Sequence, residues 1–277
     1  MKKVILYIFI AAVSMGVYTS CTKSNDYIAG YTTTDPNSLS TAYFKFVHAS
    51  PSFAKLFNVP DAFNVIVNGT KINSPILSFG GTSMAPVLGT GYGYATVPAG
   101  VLQIKLSTNG VLTGDSLAFK MYTKTVSPGQ FYTFLLTDSA LTGNPKKEIF
   151  IRDSTPMILQ GYYNLRFINA VGNDSATTTA GTSTVDIFSY SRNTTLWSKI
   201  GVDSVTTFQL LGTNISVPDT LYVTRTPASG SPLLPGRVVL AKLAITPLFR
   251  NYTIYYKGDG TLTTGTTARS LAYYVNQ

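Results

Sequence analysis

The chain holds one histidine, one cysteine and one tryptophan, so chemistry built on them has few partners to choose from. His48 is followed two residues on by Ser50. A strand would put both on one face, as a base and its nucleophile require. Pro51 marks the end of such a strand, and the reading we expect is a histidine tying down a strand end by hydrogen bonds. One histidine, one cysteine and no Asp-x-Asp run fall short of zinc or calcium ligand sets, so neither a metal nor another cofactor is expected. Eleven Asp and a single Glu, Glu148, could in principle supply a glycosidase pair, but no spacing selects one. No enzyme is expected.

Two other features bear on binding. Trp197, in Asn193-Thr194-Thr195-Leu196-Trp197-Ser198-Lys199, reads as a tryptophan in a polar loop. It serves either as a ligand platform or, alternatively, as part of the core. Six of the eleven Asp are followed by Ser or Thr and then a small, apolar or Thr residue. These triplets begin at Asp115, Asp138, Asp153, Asp174, Asp203 and Asp219. Asp-Ser is ordinary turn chemistry, the Asp side chain capping its own loop. The triplet also resembles the O-glycosylation acceptor of exported proteins in Bacteroidetes-type bacteria. That resemblance implies glycan on at least one of Ser116, Ser139, Ser154, Ser175, Ser204 or Thr220.

The N-terminus carries an address. Lys2 and Lys3, an apolar run from Val4 to Val17 and the small pair Thr19-Ser20 read as a secretory signal. The run is fourteen residues, whereas a membrane span takes about 20. With Cys21 at the cleavage point, the segment resembles the signal of a bacterial lipoprotein. The resemblance implies that Cys21 is acylated, that residues 1–20 are removed, and that the lipid bilayer is a partner. Each buried methylene contributes about 0.8 kcal/mol, so two or three acyl chains anchor stably where one does not. The expected location is the cell envelope, as an outer-membrane lipoprotein facing either the periplasm or the surface. Residues 21–40, polar and aperiodic, read as a tether.

Composition fits an exported β protein. Charged residues are 12% of the chain, about half the usual share, and 25 Ser and 38 Thr take their place. Thr, Tyr, Val and Phe suit strands. The net charge of +9 reflects scarce acid rather than a basic stripe, so nucleic acid is not an expected partner. A solvated, mildly cationic surface is.

The chain also repeats itself. Tyr43–Ala49 answers to Asn164–Ala170 at an offset of 121, Asn64–Val67 to Thr184–Ile187 at 120, and Tyr132-Thr133 to Tyr252-Thr253 at 120. In the first block Phe44, Phe46 and His48 alternate with Lys45 and Val47, the period of a half-buried strand. Asn68-Gly69 signals a type I′ hairpin, and Ser127-Pro128-Gly129-Gln130 a type II turn. No stretch after the signal holds a helical period. The expected fold is all-β: two tandem immunoglobulin-like or transthyretin-like β-sandwich domains of about seven strands each, at 41–145 and 160–277 with a join between.

Val47-His48-Ala49-Ser50-Pro51, Val65-Ile66-Val67-Asn68-Gly69, Val97-Pro98-Ala99-Gly100 and Gly129-Gln130-Phe131-Tyr132-Thr133 occur in an order that resembles the secreted bacterial family called domain of unknown function 4397. The similarity covers roughly residues 42–138. In the second repeat Asn169-Ala170-Val171-Gly172 stands where the pattern has His-Ala-Ser-Pro. The resemblance implies an extracytoplasmic β-sandwich and no particular activity. Together these features point to a non-enzymatic binding or adhesion module that contacts glycan or protein through sandwich loops. The alternative is a structural subunit of an envelope assembly, such as a fimbria or uptake complex.

Overall fold

The computed structural model describes residues 40–54, 61–73, 76–83, 93–107, 120–137, 148–172, 184–213, 218–226, 236–246, 248 and 250–276. The signal, Cys21 and the tether lie outside these residues, as do Ser116, Ser139 and Ser175. All named elements are strands.

The first repeat contains β1 (Thr41–His48), β2 (Ala62–Val67), β3 (Thr70–Lys71), β4 (Leu77–Ser78), β5 (Ala95–Pro98), β6 (Gly100–Ser107), β7 (Lys120–Val126), β8 (Phe131–Leu136) and β9 (Glu148–Arg152). One sheet runs β5-β1-β8-β9, and the facing sheet runs β3-β2-β6-β7 with β4 against β2. The second repeat contains β10 (Tyr162–Asn169), β11 (Val185–Ser189), β12 (Thr194–Ile200), β13 (Gln209–Gly212), β14 (Asp219–Arg225), β15 (Val239–Ile245), β16 (Asn251–Lys257) and β17 (Ser270–Val275). Its sheets run β13-β10-β16-β17 and β12-β11-β14-β15.

Strand for strand the second order reproduces the first, with β4 the one strand lacking a counterpart among the described residues. Among the described residues each repeat contains one parallel strand pair, β1 with β8 and β10 with β16. The immunoglobulin layout divides its strands as ABED and CFG. A four-and-four division with first and seventh strands parallel is the transthyretin-like alternative. Among the described residues each repeat has eight main strands, against the expected seven or so.

Inward side chains explain each sandwich. Phe44, Phe46, Phe63, Val65, Leu102, Ile104, Leu106 and Phe134 fill the first core, and Leu165, Phe167, Val185, Ile187, Leu221, Val223, Ile254 and Tyr256 the second. Each such burial contributes about 1.5–3 kcal/mol.

The turns follow from local chemistry. Asn68 and Gly69 have φ of 47° and 85°, as a type I′ turn requires. Gly129 has φ 66°, and Gln130 N–H donates to the Ser127 carbonyl at 3.3 Å. Tyr132 Oη accepts from Ser127 N–H and Tyr252 Oη from Leu248 N–H, each at 3.0 Å. These are the tyrosine corners known from β-sandwiches.

Two expectations need correction. The join placed between 145 and 160 contains β9, which completes a sheet of the first sandwich by pairing with β8. A connector of nine residues, 153–161, remains. Nor is β1 half-buried: seven of its eight residues are buried. Phe44 and Phe46 do face the first core, but the face carrying Lys45 and Val47 meets protein instead of water.

Candidate functional site

What covers that face is the second repeat. Val47, Ala49, Leu135 and Ile149 pack with Ile168, Ala170, Tyr255 and Tyr274, and Ile151 and Ala272 join their edges. These ten residues are five equivalent pairs: Val47 with Ile168, Ala49 with Ala170, Leu135 with Tyr255, Ile149 with Ala272, Ile151 with Tyr274. The repeats thus bury the same face against each other, the reciprocal pattern of an isologous interface. The loops above β1 and β10 match as well. His48 N–H donates to Gly81 O and Asn169 N–H to Ser204 O, both at 3.0 Å. Phe46 N–H donates to Ser83 Oγ at 3.0 Å, and Phe167 N–H to Thr206 Oγ1 at 2.9 Å.

Within this apolar contact sit two buried cations at equivalent positions. Lys45 pairs in register with Thr133, and Arg166 with Thr253. Each crosses to the end of the other repeat's last strand. Lys45 Nζ donates to the carbonyl of Val275 at 2.7 Å. It lies over the rings of Tyr94 and Tyr274, at 4.0 and 4.4 Å, where cation–π attraction is worth about 2 kcal/mol once desolvated. Arg166 Nη2 bonds the Asp153 carboxylate, its Nε donates to Thr253 Oγ1 at 2.8 Å, and its guanidinium carbon is 4.8 Å from the Phe208 ring centre. Asp153 and Asn276, the residues just after β9 and β17, are counterparts too. Thr133 donates to the first at 2.6 Å and Thr253 to the second at 2.5 Å.

The two cations have different electrostatics. Burial pushes the Lys45 amine down to about 7, with Asp153 partly opposing and Arg166 adding to the fall. Burial also works against the Arg166 charge, but Tyr274 and Asp153 outweigh it and its pKa is raised. Tyr94 donates to Asp153 at 2.8 Å and accepts from Asn276 Nδ2 at 3.0 Å. Its hydroxyl is held well above its ordinary pKa by burial first and by Asp153 second.

On the Arg166 side the junction opens into a cleft of about 430 Å³, within the range of small-molecule sites. Arg166 forms part of its lining, with Ile151, Val205 and Phe208 as apolar wall and Ser154, Thr155, Thr206 and Thr207 as hydroxyl-bearing rim. The connector is pinned beside it, since Asn164 Nδ2 donates to Met157 O and Asn251 Nδ2 to Pro156 O, at 3.2 and 3.3 Å. Sequence reasoning missed this site. Its one legible signal was the pairing of Lys45 with Arg166 inside the repeated block.

The residues singled out from sequence fall elsewhere, except one. His48 is fully buried among Phe53, Phe63 and Phe79, with ring centres 5.5, 4.7 and 6.1 Å away. Its Nε2 lies 3.4 Å from Asp61 Oδ1, and neither ring nitrogen has a hydrogen-bond partner among the described residues. The strand end is tied by the His48 backbone, while the ring packs. Trp197 is in β12, not a loop, half-buried against the second core and opposite Ile187.

Among the triplets, Ser154 is exposed and lines the cleft, Ser204 is half-buried in a loop, and half-buried Thr220 lies within β14 opposite Ala244. Their Asp neighbours serve the fold. Asp153 holds Arg166, Asp219 pairs with Arg192 at 2.7 Å and accepts from Ser189 at 2.6 Å, and Asp203 takes φ 57°. A second fully buried pair joins Arg237 and Asp186 at 3.1 Å. The expectation of solvated basic residues therefore fails at Lys45, Arg166 and Arg237. No family model matches this chain, and no curated protein matches it either.

Proposed function

We propose that the chain is an extracytoplasmic lipoprotein of the cell envelope, anchored by acylated Cys21, that binds glycan or protein without catalysing a reaction. The N-terminal pattern supports the anchor. The observation that carries the binding reading is the cleft at the junction, where hydroxyls and part of a guanidinium are left over after the fold has taken its bonds. Commitment of Asp153 and Asp186 to buried arginines, of Asp219 to half-buried Arg192, and of His48 to an aromatic cluster, favours a non-catalytic role. The contact surface in this reading is the junction cleft rather than the sandwich loops.

Two experiments test it. Membrane partition of the full precursor should be lost in Cys21→Ser; a variant that still sediments with membranes sinks the anchor. Glycan arrays and pull-downs from envelope extract should yield a saturable ligand. Silence in both, alongside measurable hydrolase turnover, would overturn the binding reading.

The second reading, a structural subunit of an envelope assembly, draws on one feature. β15 is an edge strand preceded by Val238 and beginning at Val239, which are 60% and 43% exposed, and such an edge can accept a strand from another chain. Discrete oligomers in sedimentation would favour it.

A further inference from the structure

The two buried cations occupy one position in two copies of the same sandwich, and only one of them faces a cavity. Lys45 is 1% exposed and spends its donors on the Val275 carbonyl and two tyrosine rings. Arg166 is 3% exposed. Its Nε and Nη2 are bonded to Thr253, Asp153 and Tyr274, while its Nη1 has no hydrogen bond among the described residues and is not among the buried orphaned atoms. Arg166 lines the cleft, and Nη1 is the edge it has left for a ligand there. Two N–H donors on a rigid, permanently charged group are thus left for a ligand of the cleft.

We propose that this cleft binds the carboxylate-bearing ring of an acidic sugar, a uronic acid residue. The inference rests on the binding reading above and names its site and ligand class. Charge selects an anion: the guanidinium of Arg166 is the buried cation of the lining, and its Nη1 edge is left over after Asp153 has taken Nη2. Arg152 also contributes to the lining, with its guanidinium held by Gln130 Oε1 at 3.0 and 2.6 Å.

Hydroxyls select a sugar over a bare anion. Ser154, Thr155 and Thr207 make no side-chain hydrogen bond to the described residues, and Thr206 Oγ1 accepts from Phe167 N–H while its own proton remains to be given. A hydroxyl both donates and accepts, which matches the hydroxyl-rich edge of a pyranose. Ile151, Val205 and Phe208 supply the apolar wall for the ring's C–H face. The volume of about 430 Å³ lies in the small-molecule range and suits one or two rings.

The mature chain, made in a host that leaves Ser154 unmodified, is titrated by calorimetry and saturation-transfer NMR. The probes are D-galacturonate and D-glucuronate, with galactose, glucose and acetate as controls. Saturable binding of at least one uronate is expected, about tenfold or more tighter than its neutral parent or acetate, because a site built around a charged partner rejects the analogue lacking it. Thr207→Trp fills the cleft from an exposed position and should weaken uronate binding about tenfold without moving the unfolding midpoint; Ser154→Trp is the independent repeat of that test.

No uronate binding, equal binding of acetate, or uronate binding untouched by both occluding variants overturns the inference. Binding on a glycan array confined to neutral glycans overturns it while leaving the binding reading intact. Failure of every glycan and protein ligand removes both.

Discussion

Lys45 and Arg166 began as the same position and have been solved in different ways. The lysine end is closed by aromatic rings: Tyr94 and Tyr274 flank an ammonium that has no carboxylate within ion-pair distance among the described residues. At the arginine end, Phe208 and Ile151 take the places of those tyrosines, and Asp153 takes the place of Asn276. One end tolerates its cation by letting it lose its proton near neutral pH, and the other by matching charge with charge. A buried cation does not by itself tell how much a fold depends on it; the partner does.

The largest effect should separate the two ends. Arg166→Met leaves the Asp153 carboxylate buried with its charge uncompensated, and breaking a buried pair in this way costs about 3–5 kcal/mol. Lys45→Met removes a cation that was unfavourably desolvated, at the cost of one bond to a buried carbonyl and of its contacts with two tyrosine rings, so its net change should stay within about 2 kcal/mol. Urea unfolding of both variants decides this. Equal losses would mean that Lys45 is paired after all and that the ends are alike.

The pH dependence of stability sharpens the same contrast. Below about 7 both folded and unfolded chains keep the Lys45 proton. Between there and the ordinary lysine pKa of about 10.4 the unfolded chain holds a proton that the folded one has released, so stability rises with pH. Lys257, also lowered by burial, adds in the same direction. Above about 10 the sign reverses, because Tyr94 and Tyr274 are held up by burial and ionise only on unfolding. The thermal midpoint should therefore climb from neutral to mildly alkaline pH and then fall. Lys45→Met should remove most of the climb, and Asn276→Asp, which installs the missing carboxylate, should flatten it by restoring a charged Lys45. A climb unchanged in both variants would place its origin elsewhere.

Much of this was legible in the sequence because duplication wrote it twice. The offsets of 120 and 121 between blocks are the structural equivalences of β1 with β10 and of β8 with β16. The turns at Asn68-Gly69 and Pro128-Gly129 carry their backbone requirements in residue type. What a single strand pattern does not report is which second layer will cover its outer face. Lys45 alternating with Phe44 and Phe46 has the signature of a solvent-facing residue, and only contact with Tyr94 and Tyr274, residues 49 and 229 positions away, makes it a buried one. The cleft was hidden for the same reason. Its lining comes from β9, the connector, β10 and the loop before β13, none adjacent in sequence to all the rest.

The tyrosine corners compare the repeats where they agree. Tyr132 and Tyr252 each accept a backbone N–H five or four residues upstream at the same 3.0 Å. Tyr132→Phe and Tyr252→Phe should each lose about 1 kcal/mol, the net worth of one hydrogen bond. The two losses should agree within experimental error. Unequal losses would show that the corners, like the cations, have diverged in what they support.

The smallest effect is expected at the loop above the junction, where Gly80 and Asp203 are counterparts and both have positive φ, 83° and 57°. Gly80 N–H donates to His48 O at 2.7 Å, and Asp203 N–H to Asn169 O at 2.8 Å. The first repeat meets the left-handed requirement with the residue that adopts it freely, the second with one that adopts it at a cost. Asp203→Gly relieves that cost but gives the unfolded chain more freedom, a loss of about 0.4–1 kcal/mol. The two nearly cancel, so the unfolding free energy from urea titration should change by less than about 1 kcal/mol in either direction. A larger loss would mean that the Asp203 side chain, and not only its backbone, holds the loop bearing Val205 and Thr206. The cleft would then stand on an aspartate with no counterpart at the Lys45 end.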